Sequence, residues 1–387
     1  MIEFRLTTAI SELAAAGLTR RRRLLESPCG RTATVDGKNV LNFASNDYLG
    51  LAGNAEIAQA MADGALQWGA GSGASHLVSG HLAPHEALEK EIAAFVGFPH
   101  ALTFSTGYLA NLAIVPTLAG RGAAIFSDKL NHASLIDAMQ LAKANGAEVQ
   151  RYPHGDVTAL ERLLATSTTA TKLIVTDAVF SMDGDLAPLP LLYALAERYD
   201  AWLVIDDAHG FGVLGKNGRG SLSHFNLLAT PRILLMGTLG KAAGVGGAFV
   251  AGSETAVEFL LQKARSYIFT TAAPPAIACA LSKSLALIEN GDARRANLFA
   301  RIGQLRDGLA GLPWQLLPSA TAIQPLIVGD NEAALALANA LWERGFWVPA
   351  IRPPTVPKGT ARLRISLSAA HNAGDIDHLI TALRSLA

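Results

Sequence analysis

The stretch Trp202-Leu203-Val204-Ile205-Asp206-Asp207-Ala208-His209-Gly210, with Arg232-Ile233-Leu234-Leu235-Met236-Gly237-Thr238-Leu239-Gly240-Lys241 downstream, decides the fold. Each is a short apolar run that ends abruptly in polar groups, the pattern of a buried strand delivering side chains at its carboxyl end. In open α/β sheets ligands bind at that end. Lys241 stands between Gly240 and Ala242, and small residues continue to Gly247. A flat ligand can therefore approach it closely, which suggests a Schiff-base lysine.

An aspartate and a lysine delivered in this way suit one cofactor. Pyridoxal phosphate needs an amine to hold its aldehyde and a carboxylate against its pyridine nitrogen to keep the ring an electron sink. Lys241 and Asp206 fit those roles. On spacing alone an alternative stands, in which Asp206 and Asp207 cap a helix and Lys241 pairs with a surface carboxylate.

Outward from this stretch the chain alternates. The spacing predicts helices over Ile57–Trp68, Glu86–Val96, from Tyr108, Ala133–Ala144, Val157–Leu164 and Leu189–Tyr199. It predicts strands over Val40–Phe43, Ala101–Ser105, Ala123–Phe126, Glu148–Tyr152, Lys172–Thr176, Trp202–Ile205, Ile233–Met236 and Ala248–Ala251. Such alternation implies βαβ units and a doubly wound, mostly parallel α/β sheet of about seven strands. After Pro274-Pro275 the texture changes to a long helical region, Ala276–Leu309, and a strand at Pro325–Val328. Next comes a helix with Asp330 as N-cap and Gly345 just past its end, strands Phe346–Ala350 and Arg362–Leu367, and a final helix from Asp375. The expected organisation is an N-terminal segment (1–45), with helical spacing over Thr8–Gly17, a large cofactor-binding domain (46–285) and a small α+β domain (286–387).

Composition excludes several classes. The 387 residues carry 32 basic and 32 acidic side chains, so no net field favours nucleic acid or an anionic membrane. The longest unbroken apolar run, Ala242–Gly252, is far short of the roughly 20 residues a transmembrane helix requires. Ile92–Gly120 lacks Asp, Glu, Lys and Arg, yet Asn111, His100 and hydroxyls interrupt it, as in deeply buried α/β structure. Glu3, Arg5 and Glu12 at the N-terminus do not have the layout of a signal peptide. Two cysteines, Cys29 and Cys279, are too few for a disulfide framework, and the expected location is the cytoplasm.

Three glycine-rich segments compete for a phosphate. Gly69-Ala70-Gly71-Ser72-Gly73 follows a predicted helix, the wrong context for a dinucleotide fingerprint. Gly244–Gly247 follows Lys241 too closely to open a helix. Ser105-Thr106-Gly107-Tyr108 lies between an extended segment and a helix, where free amides attract an anion, so Gly107 and Tyr108 are the expected cradle. His81, His85 and Glu89 have ligand-like spacing, but Pro84 separates the histidines from a shared helix, and no metal is expected. His132, at a strand-to-helix turn on the ligand side, is either a capping histidine or one that stacks on a flat cofactor.

Five segments carry a family resemblance: Ser45-Asn46-Asp47-Tyr48-Leu49-Gly50-Leu51, Asn131-His132-Ala133-Ser134, Phe180-Ser181-Met182-Asp183-Gly184-Asp185, Asp206-Asp207-Ala208-His209-Gly210 and Thr238-Leu239-Gly240-Lys241. In order and in content this set resembles that of the α-oxoamine synthases. These are fold type I pyridoxal-phosphate enzymes that condense an amino acid with an acyl thioester and release CO₂. The resemblance runs from about Arg20 to His371. Ile351-Arg352-Pro353-Pro354-Thr355-Val356-Pro357 and Arg362-Leu363-Arg364-Ile365-Ser366-Leu367 look most like the biotin-pathway branch, which joins L-alanine to a pimeloyl thioester of coenzyme A or acyl-carrier protein. The runner-up is the threonine-pathway branch using glycine and acetyl-CoA, and a non-enzymatic alternative is a pyridoxal-phosphate-binding regulator.

The resemblance implies roles residue by residue. Lys241 would hold the cofactor, Asp206 would contact its pyridine nitrogen, and His209 and Ser181 would serve the ring's oxygen side. His132 would stack on the ring and assist catalysis, while Gly107, Tyr108 and Thr238 would serve the phosphate. Arg364 would hold the alanine carboxylate, with Asn46, Arg20 (or a neighbour within Arg20–Arg23) and Thr355 contacting substrate. Thr270 and Thr271 resemble the segment that reaches the phosphate of the partner subunit, which implies a homodimer with shared active sites.

Overall fold

The computed structural model describes residues 2–15 and 18–387. Its centre is a seven-stranded sheet built from β3 (His100–Phe104), β4 (Ala123–Asp128), β5 (Glu148–Tyr152), β6 (Thr171–Asp177), β7 (Trp202–Asp206), β8 (Ile233–Thr238) and β9 (Ala248–Gly252), in the spatial order β3-β9-β8-β7-β6-β4-β5. This is the expected mostly parallel α/β sheet. Strand β9 alone runs against its neighbours β8 and β3. The loop Leu239–Gly247 is too short for a crossover helix, so the chain returns antiparallel.

Side-chain alternation along these strands sets up the rest. Leu203 and Ile205 pack into one core cluster, and Val204 into the other. Leu173 and Val175 of β6, and Leu234 and Met236 of β8, share the second cluster with Val204. The period of two then carries Asp177, Asp206 and Thr238, the last residues of β6, β7 and β8, onto that same face. Helices Gly107–Leu118 and Ala133–Ala144 cover it, supplying Ala110, Ala113 and Ile114 from one and Leu135 and Ala138 from the other.

The strand order reverses between β4 and β6, the switch point at which a doubly wound sheet leaves a crevice beyond its carboxyl ends. The loop after β4, which carries His132, and the end of β6 both open there.

Two smaller sheets flank this core. Strands β1 (Thr32–Val35) and β2 (Lys38–Asn42) are joined by β12 (Phe346–Trp347), which pairs with β2 in parallel. Strands β10 (Gln315–Leu316), β11 (Ile323–Gly329), β14 (Ala361–Ser366) and β13 (Ala350–Ile351) form the other.

Three expectations are corrected and one strand is added. The long helical region breaks into Pro275–Glu289 and Asp292–Gly308 at Gly291, where a Cβ would lie 2.8 Å from the Leu287 carbonyl oxygen. The single strand Phe346–Ala350 is two, β12 and β13, serving different sheets. Pro349 lies between them, has no amide to continue a ladder, and uses only its carbonyl, which accepts the Arg364 amide. Strand β1, unread in the sequence, pairs with β2 across Asp36-Gly37, whose φ values of 48° and 74° suit a hairpin turn. The N-terminal helix spans Ile2–Ala15 with none of its residues buried, and the Ala16-Gly17 end of the expected one lies outside the described residues.

Candidate active site

At the carboxyl ends of β6, β7 and β8 lies a cavity of about 190 Å³ lined by Gly107, Tyr108, His132, Asp177, Asp206, His209, Thr238 and Lys241, among others. A more open groove of about 490 Å³ lies at the opposite, amino ends of β6 to β8. Lys172, Glu197, Asp200 and Arg232 there are ordinary surface charges, and no buried amine faces a buried carboxylate.

Two adjacent carboxylates part company at the end of β7. Asp206 stays on the cavity side, where its Oδ1 accepts the Ala208 amide at 3.0 Å and its Oδ2 accepts Asn111 Nδ2 at 2.8 Å. Asp207 turns the other way and accepts both the amide and the hydroxyl of Ser221, pinning the following loop. Burial pushes the Asp207 carboxyl up to about 7. Asp177, paired in register with Asp206, accepts the His132 amide at 3.2 Å. Burial, reinforced by the neighbouring Asp206, raises its pKa well above the usual carboxylate range.

Lys241 reaches this group from the loop after β8. Its Nζ lies 2.8 Å from His209 Nε2. Burial pulls its pKa down to about 8 against the opposing pull of Asp206 and Asp177. An amine held there is far closer to its neutral, nucleophilic form at neutral pH than a surface lysine. His209 is itself buried, which holds its pKa well below the ordinary histidine value, with the charges of Lys241 and Arg364 acting in the same direction. Its Nδ1 lies 2.6 Å from the Tyr48 hydroxyl.

His132 is the N-cap of helix Ala133–Ala144, and its Nδ1 lies 2.8 Å from Ser134 Oγ. The capping reading is met, and the same residue lines the cavity. Helix Gly107–Leu118 starts at the cavity, with Thr106 as N-cap accepting the Leu109 amide. The amides of Gly107 and Tyr108 fall in the first turn, where no carbonyl one turn earlier is available to them. Together with the helix dipole they make an anion site.

Arg364 lies beside this cavity on β14 and is buried. Its Nε donates to the Ser181 carbonyl at 2.6 Å and its NH1 to Ser366 Oγ and Asn46 Oδ1 at 2.7 and 3.1 Å. Among the described residues no carboxylate pairs with it, whereas Arg362 on the same strand is paired with Asp183 at 2.6 Å. A buried guanidinium without a counter-ion is a strong anion site.

Other expected residues are placed elsewhere. Ser181 meets Arg364 through its backbone and is not among the residues lining the cavity. Arg20 and Thr355 are exposed, Thr355 on the loop that follows Pro353-Pro354. Thr270 and Thr271 do not line the cavity of their own chain, and Thr271 instead bridges to Ser75. His81 and His85 sit with His76, but His85 is engaged by the Leu82 amide and the Ala273 carbonyl, and His81 by His76 and Glu86. Asp47 closes a turn by accepting the Leu51 and Ala52 amides.

Sequence reasoning missed Asn111, Tyr48 and Asp177 as contacts of the site. A lone amide in the otherwise apolar run Leu109–Val115 was the available signal for Asn111. Tyr48 lies in a motif segment but is given no role by it, and its 2.6 Å distance to His209 Nδ1 reveals one.

The donor set fits pyridoxal phosphate. An amine near neutrality, a buried carboxylate, an imidazole and an unsatisfied helix N-terminus surround one cavity, matching an aldehyde, a protonated ring nitrogen, a ring oxygen and a phosphate. The side-chain oxygen of Asn111, behind Asp206, is buried without a partner, so its amide group is directed wholly at Asp206 and Ser134.

Residues 38–383 match the family described as aminotransferase class I and II. The 8-amino-7-oxononanoate synthase of Dechloromonas aromatica is 81% identical over 387 residues, covering all of both chains. Among solved structures, a serine palmitoyltransferase from S. paucimobilis with a bound PLP–myriocin aldimine matches with a TM-score of 0.91 at 29% identity, over 98% of this chain and 96% of that one. The 8-amino-7-oxononanoate synthase of Francisella tularensis matches with a TM-score of 0.77 at 32% identity, over 90% and 98%. On the family match over residues 38–383 and the full-length identity, the chain belongs to the class I and II aminotransferase family of pyridoxal-phosphate enzymes and, within it, to the 8-amino-7-oxononanoate synthases.

Proposed function

We propose that this chain condenses L-alanine with a pimeloyl thioester, of coenzyme A or acyl-carrier protein, to give 8-amino-7-oxononanoate, CO₂ and the free thiol carrier, in the cytoplasm. The observation that carries the reading is the buried, unpaired Arg364 beside a cavity that holds Lys241 and Asp206. It supplies an amino-acid carboxylate site next to a cofactor site.

Bound at Lys241, pyridoxal phosphate supplies an electron sink for charge at the amino acid's α-carbon. Asp206, kept in place by Asn111 and Ala208, would hold the proton on the ring nitrogen. His209 would serve the ring's oxygen side, with Ser181 acting on the site through its carbonyl's hold on Arg364, and Thr238 with the amides of Gly107 and Tyr108 would hold the phosphate. Arg364 and Asn46 bind the alanine carboxylate, which leaves the Cα proton to Lys241 Nζ. His132, which lines the cavity, would stack on the ring when the cofactor is bound and either polarise the thioester carbonyl or promote the loss of CO₂. Arg20, or a neighbour within Arg20–Arg23, and Thr355 would contact substrate. Thr270 and Thr271, away from their own cavity, complete that of a second copy, so the working unit is a homodimer. Residues 46–285 then form the cofactor-binding domain and 286–387 the small domain that carries Arg364, with 1–45 preceding both.

The test follows thiol release from pimeloyl-CoA with alanine or glycine as partner. Alanine is expected to support turnover and glycine with acetyl-CoA is not; preference for the latter pair refutes the substrate assignment. Lys241→Ala is expected to abolish turnover and the mass added on borohydride reduction of the cofactor-loaded protein, and retention of both refutes the lysine assignment.

A further inference from the structure

Tyr48 is 1% exposed and stands between two polar side chains. Its hydroxyl lies 3.0 Å from Asn46 Oδ1 and 2.6 Å from His209 Nδ1, and on the far side of that imidazole Nε2 lies 2.8 Å from Lys241 Nζ. Four groups thus form one chain, and counting donors orders it. Arg364 NH1 can only donate, so the Asn46 atom 3.1 Å from it is the oxygen. An amide oxygen can only accept, so the single Tyr48 proton goes to Asn46. The phenol oxygen then accepts from His209, which requires a proton on Nδ1. A neutral imidazole with Nδ1–H has a bare Nε2. Arg364 NH2, 3.5 Å from the phenol oxygen, favours its role as acceptor.

We propose that Tyr48 is a positioning residue that locks His209 in the Nδ1–H tautomer, so that a bare Nε2 faces Lys241. The consequence concerns the lysine lone pair and rests on Lys241 being the cofactor lysine. With Nε2 bare, the amine donates one N–H to His209 and its lone pair stays free to attack an aldehyde. With the proton on Nε2, the imidazole donates to that lone pair and occupies it. The burial that keeps His209 neutral is what makes tautomer, rather than charge, the variable at this position.

The test uses full-length apoenzyme labelled with ¹⁵N-histidine, with the His209 signals assigned by their loss in His209→Gln. In the wild type, the proton is expected on Nδ1. In Tyr48→Phe, which keeps the buried ring, Nδ1 loses its acceptor and the population shifts to the Nε2–H form. Uptake of pyridoxal phosphate, followed by absorbance after rapid mixing, is expected to slow about tenfold, the scale of one unsatisfied buried donor. In a His209→Gln background the same substitution is expected to have no further effect on uptake. Asn46→Ala supplies a second route to the same shift, since the Tyr48 proton is then released to turn toward Nδ1. An unchanged tautomer in both variants overturns the proposal, as does equal slowing by Tyr48→Phe with and without His209. Failure of the wild type to take up the cofactor at Lys241 would instead count against the catalytic reading and leave the tautomer result standing on its own.

Discussion

Replacing Asn111 by leucine separates cofactor affinity from fold stability. In the wild type, Asn111 Nδ2 donates to Asp206 Oδ2 and to Ser134 Oγ, each at 2.8 Å, while its own oxygen is buried without a partner. Leucine has nearly the same shape and fits the apolar helix that carries it. The bond to the carboxylate is charge-assisted and worth about 2 kcal/mol, and the bond to Ser134 about 1 kcal/mol. Removing an orphaned buried carbonyl returns about 2 kcal/mol, the desolvation penalty of such a group. The fold should therefore lose only about 1 kcal/mol, and the apoenzyme should melt no more than a few degrees lower. Asp206, by contrast, keeps only the Ala208 amide on Oδ1, and its Oδ2 is no longer held toward the ring nitrogen. A loss of about 2 kcal/mol there corresponds to a roughly thirtyfold weaker dissociation constant for pyridoxal phosphate. Absorbance titration of the apoenzyme measures the affinity, and thermal unfolding of the same preparation measures the stability. Unchanged affinity with a stability loss above about 3 kcal/mol would make Asn111 a packing residue and refute the reasoning.

Two further predictions concern the loops that hold the site. Gly184 has φ of +73°, and a Cβ there would lie 2.4 Å from the Ile323 carbonyl oxygen, so Gly184→Ala should displace the turn after Ser181 and loosen the grip of its carbonyl on Arg364. The expected outcome is a KM for alanine raised about tenfold or more with cofactor affinity unchanged, and an unchanged KM would contradict it. His154 bridges Asp128 and Asp185, and those two hydrogen bonds, led by Asp128, raise its pKa from 6.5 to about 10. Its folded-state value is the higher, so its contribution is fully present below pH 6.5 and disappears as pH rises through about 10. Denaturant unfolding of His154→Gln should show a deficit of about 2 kcal/mol against the wild type at pH 6 that shrinks steadily toward pH 10; a deficit independent of pH would assign the residue to packing alone.

The strands of the central sheet were legible because a parallel sheet covered on both faces demands near-continuous apolar runs. The turn residues that end them, Asp206, Thr238 and Lys241, stood out as polar groups where an apolar run stops. Helix ends were equally readable where a cap names them, as at Asp330 and Gly345. The helical break at Gly291 and the split of Phe346–Ala350 were not, since each depends on which distant partner a segment meets.

The amino-acid order alone therefore determined the alternation of strands and helices and the chemical identity of the lysine, carboxylate and imidazole, because these follow from local periodicity and from which residues interrupt it. Tertiary structure decided that Asn111 stands behind Asp206, that Arg364 is left without a carboxylate while Arg362 has one, and that Tyr48 touches His209. Each of these is a contact between residues tens to hundreds of positions apart. Only the packing of helices onto a particular sheet face brings such groups within hydrogen-bonding distance, and no local pattern encodes it.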